Sequence, residues 1–225
     1  MVSGTTLARS EPRTRPGVPI RLRGMNWGDY LALSDLIDPR TRTSFSEGVM
    51  EIMTLSFEHE FWAALIGRLI EALTEELDRP CQSAGMTTLR RDDLERGLEP
   101  DRCYYLENVV RVRTKRRIDL SVDPPPDLAI EVEITCDATA RMGIYAAIGV
   151  PEVWRFDGTK LTVYHRTAEG ELAEAGQSRH FPFLPLSELV GFLHRRGQAS
   201  ETAIVKSFRE WVRQQIARKW QPEGG

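Results

Sequence analysis

A chain of 225 residues with 41% apolar and 28% charged residues has the make-up of an ordinary folded globular protein, which argues against a disordered or fibrous chain. Its net charge of −3 argues against a protein that coats nucleic acid by bulk attraction, while leaving room for a local basic patch. Cys81, Cys103 and Cys136 lack CxxC spacing and form no even set, so neither a disulfide framework nor a zinc knuckle is expected. With no signal-peptide core and no membrane-spanning stretch, the expectation is a soluble, cytoplasmic protein.

Residues 1 to about 20 mix Pro12, Pro16 and Pro19 with Ser, Thr and Arg, a composition too poor in apolar groups to order itself. Asn26 then precedes a short helical pattern that runs through Ile37 and stops at Pro39. Phe45 to Leu55 predicts a hairpin, or a strand with an irregularity near Gly48. Ser56 is placed to cap a long helix, because Phe61, Trp62, Leu65, Ile66, Leu69, Ile70, Leu73 and Leu77 form one broad apolar stripe. Gln82 to Arg90 and Leu98 to Leu106 read as two strands around a charged turn. Residues 107 to 126 pass through a basic stretch into Pro124-Pro125-Pro126, which neither helix nor central strand tolerates. A strand over Asp127 to Ile134 and a helix from about Ala138 to Ile148 follow. Val153–Phe156 and Leu161–His165 then flank Asp157-Gly158 as a hairpin. Two helices close the chain, Ser187–Arg195 and Glu201–Trp220. The expected organisation is a tail over 1–20, one α/β domain over 21–198 with a mixed central sheet flanked by helices, and a carboxy-terminal helix over 199–225 that packs on the domain or on a partner subunit.

Chemistry concentrates in Asp127-Leu128-Ala129-Ile130-Glu131-Val132-Glu133-Ile134. Period two puts the aliphatic residues on one face and Asp127, Ala129, Glu131 and Glu133 on the other. Carboxylates at that spacing repel unless they are solvated, protonated or bridged by a cation. The plain reading is an amphipathic strand with its acidic side in water. The sharper one adds Asp101 from the preceding strand, since a pair of carboxylates with waters and phosphate oxygens satisfies Mg²⁺ or Mn²⁺. Arg141, one turn into the next helix, is placed either to stabilise charge on a phosphate or to stack on Tyr145 as a solvated helix residue. A carboxylate pair would also serve a metal-independent hydrolase of sugars. Arg111, Arg113, Lys115, Arg116 and Arg117 form a basic loop that suits a phosphate backbone or simply water.

Glu99-Pro100-Asp101, Pro126-Asp127-Leu128-Ala129-Ile130-Glu131-Val132-Glu133, Ile144-Tyr145 and Gly149-Val150-Pro151-Glu152-Val153-Trp154 together resemble the Uma-two family of restriction-endonuclease-like proteins, within the PD-(D/E)XK nuclease superfamily. The resemblance spans roughly residues 25 to 190. It implies a restriction-endonuclease-like core and a Mg²⁺- or Mn²⁺-dependent endonuclease acting on DNA, as found in bacteria. In that frame Asp101 is the motif aspartate and Glu131 the acidic residue of the strand motif, with Glu51 and His59 as additional contributors. Two departures stand out: Glu133 occupies the superfamily's lysine position two residues after Glu131, and Arg141 replaces the lysine that many relatives carry on the helix. A relative that keeps the fold for nucleic-acid binding or assembly without turnover is therefore the alternative. A homodimer is expected, because paired cuts of a duplex need two sites and the last helix offers an apolar face.

Overall fold

The computed structural model describes residues 18–37, 41–134 and 139–219. Most of the expected tail, Pro39, Cys136 and residues 220–225 lie outside them. Strand β1 (Ile20–Arg23) leads into helix α1 (Trp27–Ser34), where Asn26 and Asp29 form a capping box. The hairpin of β2 (Thr41–Ser46) and β3 (Val49–Thr54) follows, its register closing at Ser46 opposite Val49. Glu47 and Gly48 both have positive φ, 53° and 73°, the pattern of a tight turn that matches strand twist. Helix α2 (Phe57–Glu76) starts at Ser56, whose hydroxyl accepts from the His59 amide at 3.1 Å.

The two strands expected over 82–106 each divide, and their halves join different sheets. The segment yields β4 (Gln82–Gly85), β5 (Leu89–Arg91), β6 (Arg96–Leu98) and β7 (Arg102–Tyr105). A bulge at Ser83/Gly85, with Gly85 at φ 58°, breaks the first strand, and Pro100, which has no N–H to give to a ladder, interrupts the second. The basic loop contains a short helix, α3 (Val109–Val112). Then come β8 (Leu128–Val132), α4 (Thr139–Ile148), β9 (Glu152–Phe156), β10 (Leu161–Arg166), β11 (Leu172–Ala175), α5 (Leu186–Leu193) and α6 (Glu201–Lys219). Strand β11, whose Leu-Ala-Glu-Ala has little strand propensity, was not expected and exists by pairing with β10.

The expected mixed central sheet is present as a six-stranded sheet in the order β11-β10-β9-β8-β7-β4, and a second, five-stranded antiparallel sheet in the order β1-β3-β2-β6-β5 accompanies it. Among the described strands only β8 and β9 run parallel, joined by the crossover through α4. Alternation along β8 holds as its pattern requires. Leu128, Ile130 and Val132 enter the main core with α2, α5 and α6, while Ala129 faces the second cluster with Ile144 and Tyr145 of α4. Helix α6 packs through Ile204, Val205, Phe208 and Val212 onto the same core as α2. No helix among the described residues is long and apolar enough to cross a membrane.

Candidate active site

Asp101 stands immediately before β7, and the antiparallel register that pairs Arg102 with Ile130 sets it opposite Glu131 of β8. Both carboxylates are buried, at 2% and 3% exposure, so neither relies on water to offset its charge. Asp101 Oδ2 accepts from the Val132 amide at 2.8 Å, which extends the β7–β8 ladder with a side chain in place of a backbone carbonyl. Beside it, His59 Nε2 from the first turn of α2 lies 3.1 Å from Asp101 Oδ2. That contact is close but misaligned, and neither ring nitrogen of His59 has a hydrogen-bond partner.

Glu131 is gripped from α4. Arg141 donates Nε to Oε2 at 2.9 Å and Nη2 to Oε1 at 2.8 Å, and Nη2 also reaches the Glu99 carbonyl at 2.6 Å. One helical turn further, the Tyr145 hydroxyl donates to the same Oε1. A helix puts residues four apart on one face, so Arg141 and Tyr145 reach one carboxylate together. Burial raises the Glu131 carboxyl above its ordinary value against the pull of Arg141, and the charge of Asp101 adds to the rise. Asp101 moves the other way: burial would raise it, but contact with His59 and the charge of Arg141 hold it below the usual carboxylate range. Burial opposes the charge on His59, yet Asp101 and Glu60 outweigh it and push the imidazole up to about 9. The centre is therefore two carboxylates compensated by two cations, His59 for Asp101 and Arg141 for Glu131.

The remaining expected residues are placed as follows. Glu133 bonds to Arg155 of β9, a residue that the parallel register sets directly opposite Glu131. Glu51 lies in β3 and pairs with Arg21 across the β1–β3 ladder at 2.6 Å. Asp127, expected on the acidic face, instead turns its carboxylate to the Leu106, Glu107 and Asn108 amides at 2.7–3.0 Å and to Asn108 Nδ2 at 2.6 Å. The basic loop is not drawn onto the acid pair. Arg113, Lys115, Arg116 and Arg117 line a groove of about 250 Å³ against β4, and Arg116 and Arg117 also line a neighbouring groove of about 1040 Å³ with Arg90 and Arg91. Arg111 is exposed on α3, and Lys115 is taken by Asp123. The larger groove adjoins the centre through Thr88, whose hydroxyl donates to Glu99 Oε1 at 3.2 Å.

Two buried charged residues were not marked as inward-facing by the sequence pattern. Arg42, in the Thr-Arg-Thr-Ser run of β2, is buried at 4% exposure, and nothing in its spacing marks it as an inward-facing charge. Glu152 is fully buried, accepting from Trp154 Nε1 and Ser178 Oγ at 2.6 Å each and from the Arg179 amide at 2.7 Å. That network joins Glu152 and Trp154 of the Gly-Val-Pro-Glu-x-Trp string and ties the start of β9 to the segment before α5.

The buried carboxylate pair thus sits on adjacent strands of a mixed sheet, backed by a crossover helix, in an α/β protein. The family model of Uma2, described as "Putative restriction endonuclease", matches residues 27–194, and the chain belongs to that family. It is also similar to a solved structure from Anabaena variabilis described as a "putative nuclease", at 14% identity and a TM-score of 0.49, over 84% of this chain and 99% of that one. No curated protein matches the chain.

The donor set can be tested for a divalent ion. Among the described residues no group of three or more His, Cys, Asp or Glu side chains stands ready as a metal cage. The residues nevertheless fit a hard cation completed by other ligands. No described residue donates to Asp101 Oδ1, and Glu131 Oε2 takes only one N–H and keeps a second lone pair. Magnesium asks for little more than this from protein, since waters and phosphate oxygens complete its shell.

Proposed function

We propose that the protein is a divalent-metal-dependent endonuclease that hydrolyses phosphodiester bonds in DNA, with Asp101 and Glu131 as its carboxylates. The observation that carries the reading is the convergence of these two buried acids on adjacent strands. Mg²⁺ or Mn²⁺ held by Asp101 and Glu131 would polarise the scissile phosphate and acidify an attacking water. The chain's own residues do the positioning. Arg141 and Tyr145 fix the rotamer of Glu131, the Val132 amide fixes Asp101, and His59 offsets the charge of Asp101. Arg141 thus acts on the carboxylate, with Nε and Nη2 already committed, in place of the phosphate contact its position first suggested. The basic loop and its grooves offer the duplex a cationic track beside the centre. A cytoplasmic homodimer is the arrangement that paired cuts favour.

One observation favours a second reading, a DNA-binding or assembly protein without turnover. The strand position that carries lysine in the superfamily is an acid here, and it is bonded to Arg155. The deciding experiment incubates purified protein with linear and supercoiled DNA in Mn²⁺, Mg²⁺ or EDTA, beside Asp101→Asn and Glu131→Gln. Cleavage that needs metal and disappears in both variants supports the nuclease. Binding with no metal-dependent cleavage supports the second reading, and equal cleavage by the variants removes the claim.

A further inference from the structure

Two buried arginines stand on the elements around the acid pair, and they differ in how their hydrogen-bonding capacity is met. Arg141 is matched to Glu131 and to a carbonyl. Arg42, at 4% exposure, has an Nε that is buried and has no partner. Its Nη2 rests on the thioether sulfur of Met86, a weak acceptor, and stands 3.8 Å from Glu60 Oε1, beyond hydrogen-bond reach. Glu60 is itself 43% exposed, so water screens much of what it offers. A buried guanidinium whose one ion-pair partner is a half-exposed carboxylate out of hydrogen-bond reach, and whose Nε has no acceptor, is costly, and such an unmet group calls for an explanation such as a functional role.

The location of Arg42 says which ligand. Thr43, the next residue, is tied to Glu99 twice: its amide donates to Glu99 Oε2 and its carbonyl accepts from the Glu99 amide, each at 3.2 Å. The Glu99 carbonyl in turn receives Arg141, two residues before Asp101. On its other flank Arg42 meets Glu60, which lies 3.7 Å from His59 Nδ1, and His59 meets Asp101. Arg42 is therefore linked to the acid pair from β2 through Glu60 and His59, while Arg141 touches it directly from α4. The Met86 side chain over it is 41% exposed and flexible, easily displaced by a harder acceptor. A planar fork with an unmet N–H suits two oxygens of one phosphate.

We propose that Arg42 is a further substrate-binding residue of this centre, whose Nε and Nη2 receive the non-bridging oxygens of the phosphodiester in place of Met86. The proposal rests on the nuclease reading for the identity of the ligand, though not for the existence of an anion site. The test uses the full chain as wild type, Arg42→Met, Arg42→Lys and, as a control, Lys206→Gln on the exposed side of α6. Inorganic phosphate is titrated without metal and followed by thermal melting, and cleavage of labelled duplex is measured in Mn²⁺. Phosphate is expected to raise the melting temperature of wild type and Lys206→Gln but not of Arg42→Met. The kcat/KM of Arg42→Met should fall on the order of 100-fold, with a rise in KM as part of it, as for loss of a contact made to the phosphate already in the bound substrate. Arg42→Lys, which keeps charge without the fork, should fall between, and it carries the comparison if Arg42→Met does not fold. A phosphate shift that is absent in wild type or survives in Arg42→Met overturns the proposal, as does wild-type cleavage by a folded Arg42 variant. An Arg42-dependent phosphate shift without metal-dependent cleavage would leave the anion site standing and remove the nuclease reading alone.

Discussion

Arg141 and Glu131, ten residues apart in the chain, meet in a two-pronged pair at 2.9 and 2.8 Å inside a site almost closed to water. Burial opposes the guanidinium's charge, and Glu131 more than restores it, so Arg141 stays protonated at every accessible pH. Breaking the pair from one side leaves a buried charge alone. Arg141→Met is expected to cost about 3 kcal/mol in denaturant unfolding, and Arg141→Lys a substantial part of that because a single ammonium cannot span both oxygens. Adding Glu131→Gln to Arg141→Met should recover much of the loss. A single variant as stable as wild type would show that the pair does not hold α4 to β8.

Asp127 is expected to matter for stability and not for chemistry. Its carboxylate takes three consecutive backbone amides and the Asn108 amide, fixing the turn from β7 into the basic loop. Asp127→Ala leaves the buried Leu106 amide and the part-buried Glu107 and Asn108 donors without their acceptor and should cost about 1–3 kcal/mol, while Asp127→Asn, which keeps one carbonyl, should cost less. Equal melting of Asp127→Ala and wild type would contradict this role.

Acid should loosen α6 from α2 through Glu76. Arg213 donates to both its oxygens at 2.6 and 2.8 Å and Arg209 donates at 3.0 Å, and the Arg213 contact first of all holds the carboxyl below its ordinary value. A carboxyl whose folded pKa lies below its unfolded one stabilises the fold above the unfolded value, and that stability is lost as pH falls through the folded value. Glu76→Gln should therefore melt roughly 2 °C below wild type at pH 7, with the gap closing as pH drops below about 4. A gap that stays constant down to pH 3 would rule out this linkage.

Cys103 should behave as an inert core residue. It is fully buried against Ala129 and its neighbours, and burial pushes its thiol up to about 12. A thiol-specific reagent at pH 8 is expected to leave Cys103 unmodified in the native protein and to modify it at once in denaturant, as mass mapping of the labelled peptide would show. Rapid native labelling would mean that the β7–β8 region opens readily.

Much of this protein is written locally. Asn26 and Ser56 announce helix starts because a side-chain oxygen must meet amides that have no intrahelical partner. The stripe from Phe61 to Leu77 announces α2, and the alternation of Ile130 and Glu131 announces opposite faces of one strand. Those signals depend on spacing within a few residues, so Asp101, Glu131 and Arg141 stood out as candidates from the sequence pattern, while His59 entered only through the family resemblance. Only the tertiary structure decided what each of them touches. It split the 82–106 segment between two sheets, carried Asp127 away to the Leu106–Asn108 amides, closed Arg141 and Tyr145 onto Glu131, and buried Arg42 without a matching acceptor. The physical reason is that periodicity fixes the direction of a side chain relative to its own backbone, whereas a charge is compensated by partners tens of residues away. Those partners exist only once the sheets and α4 have packed.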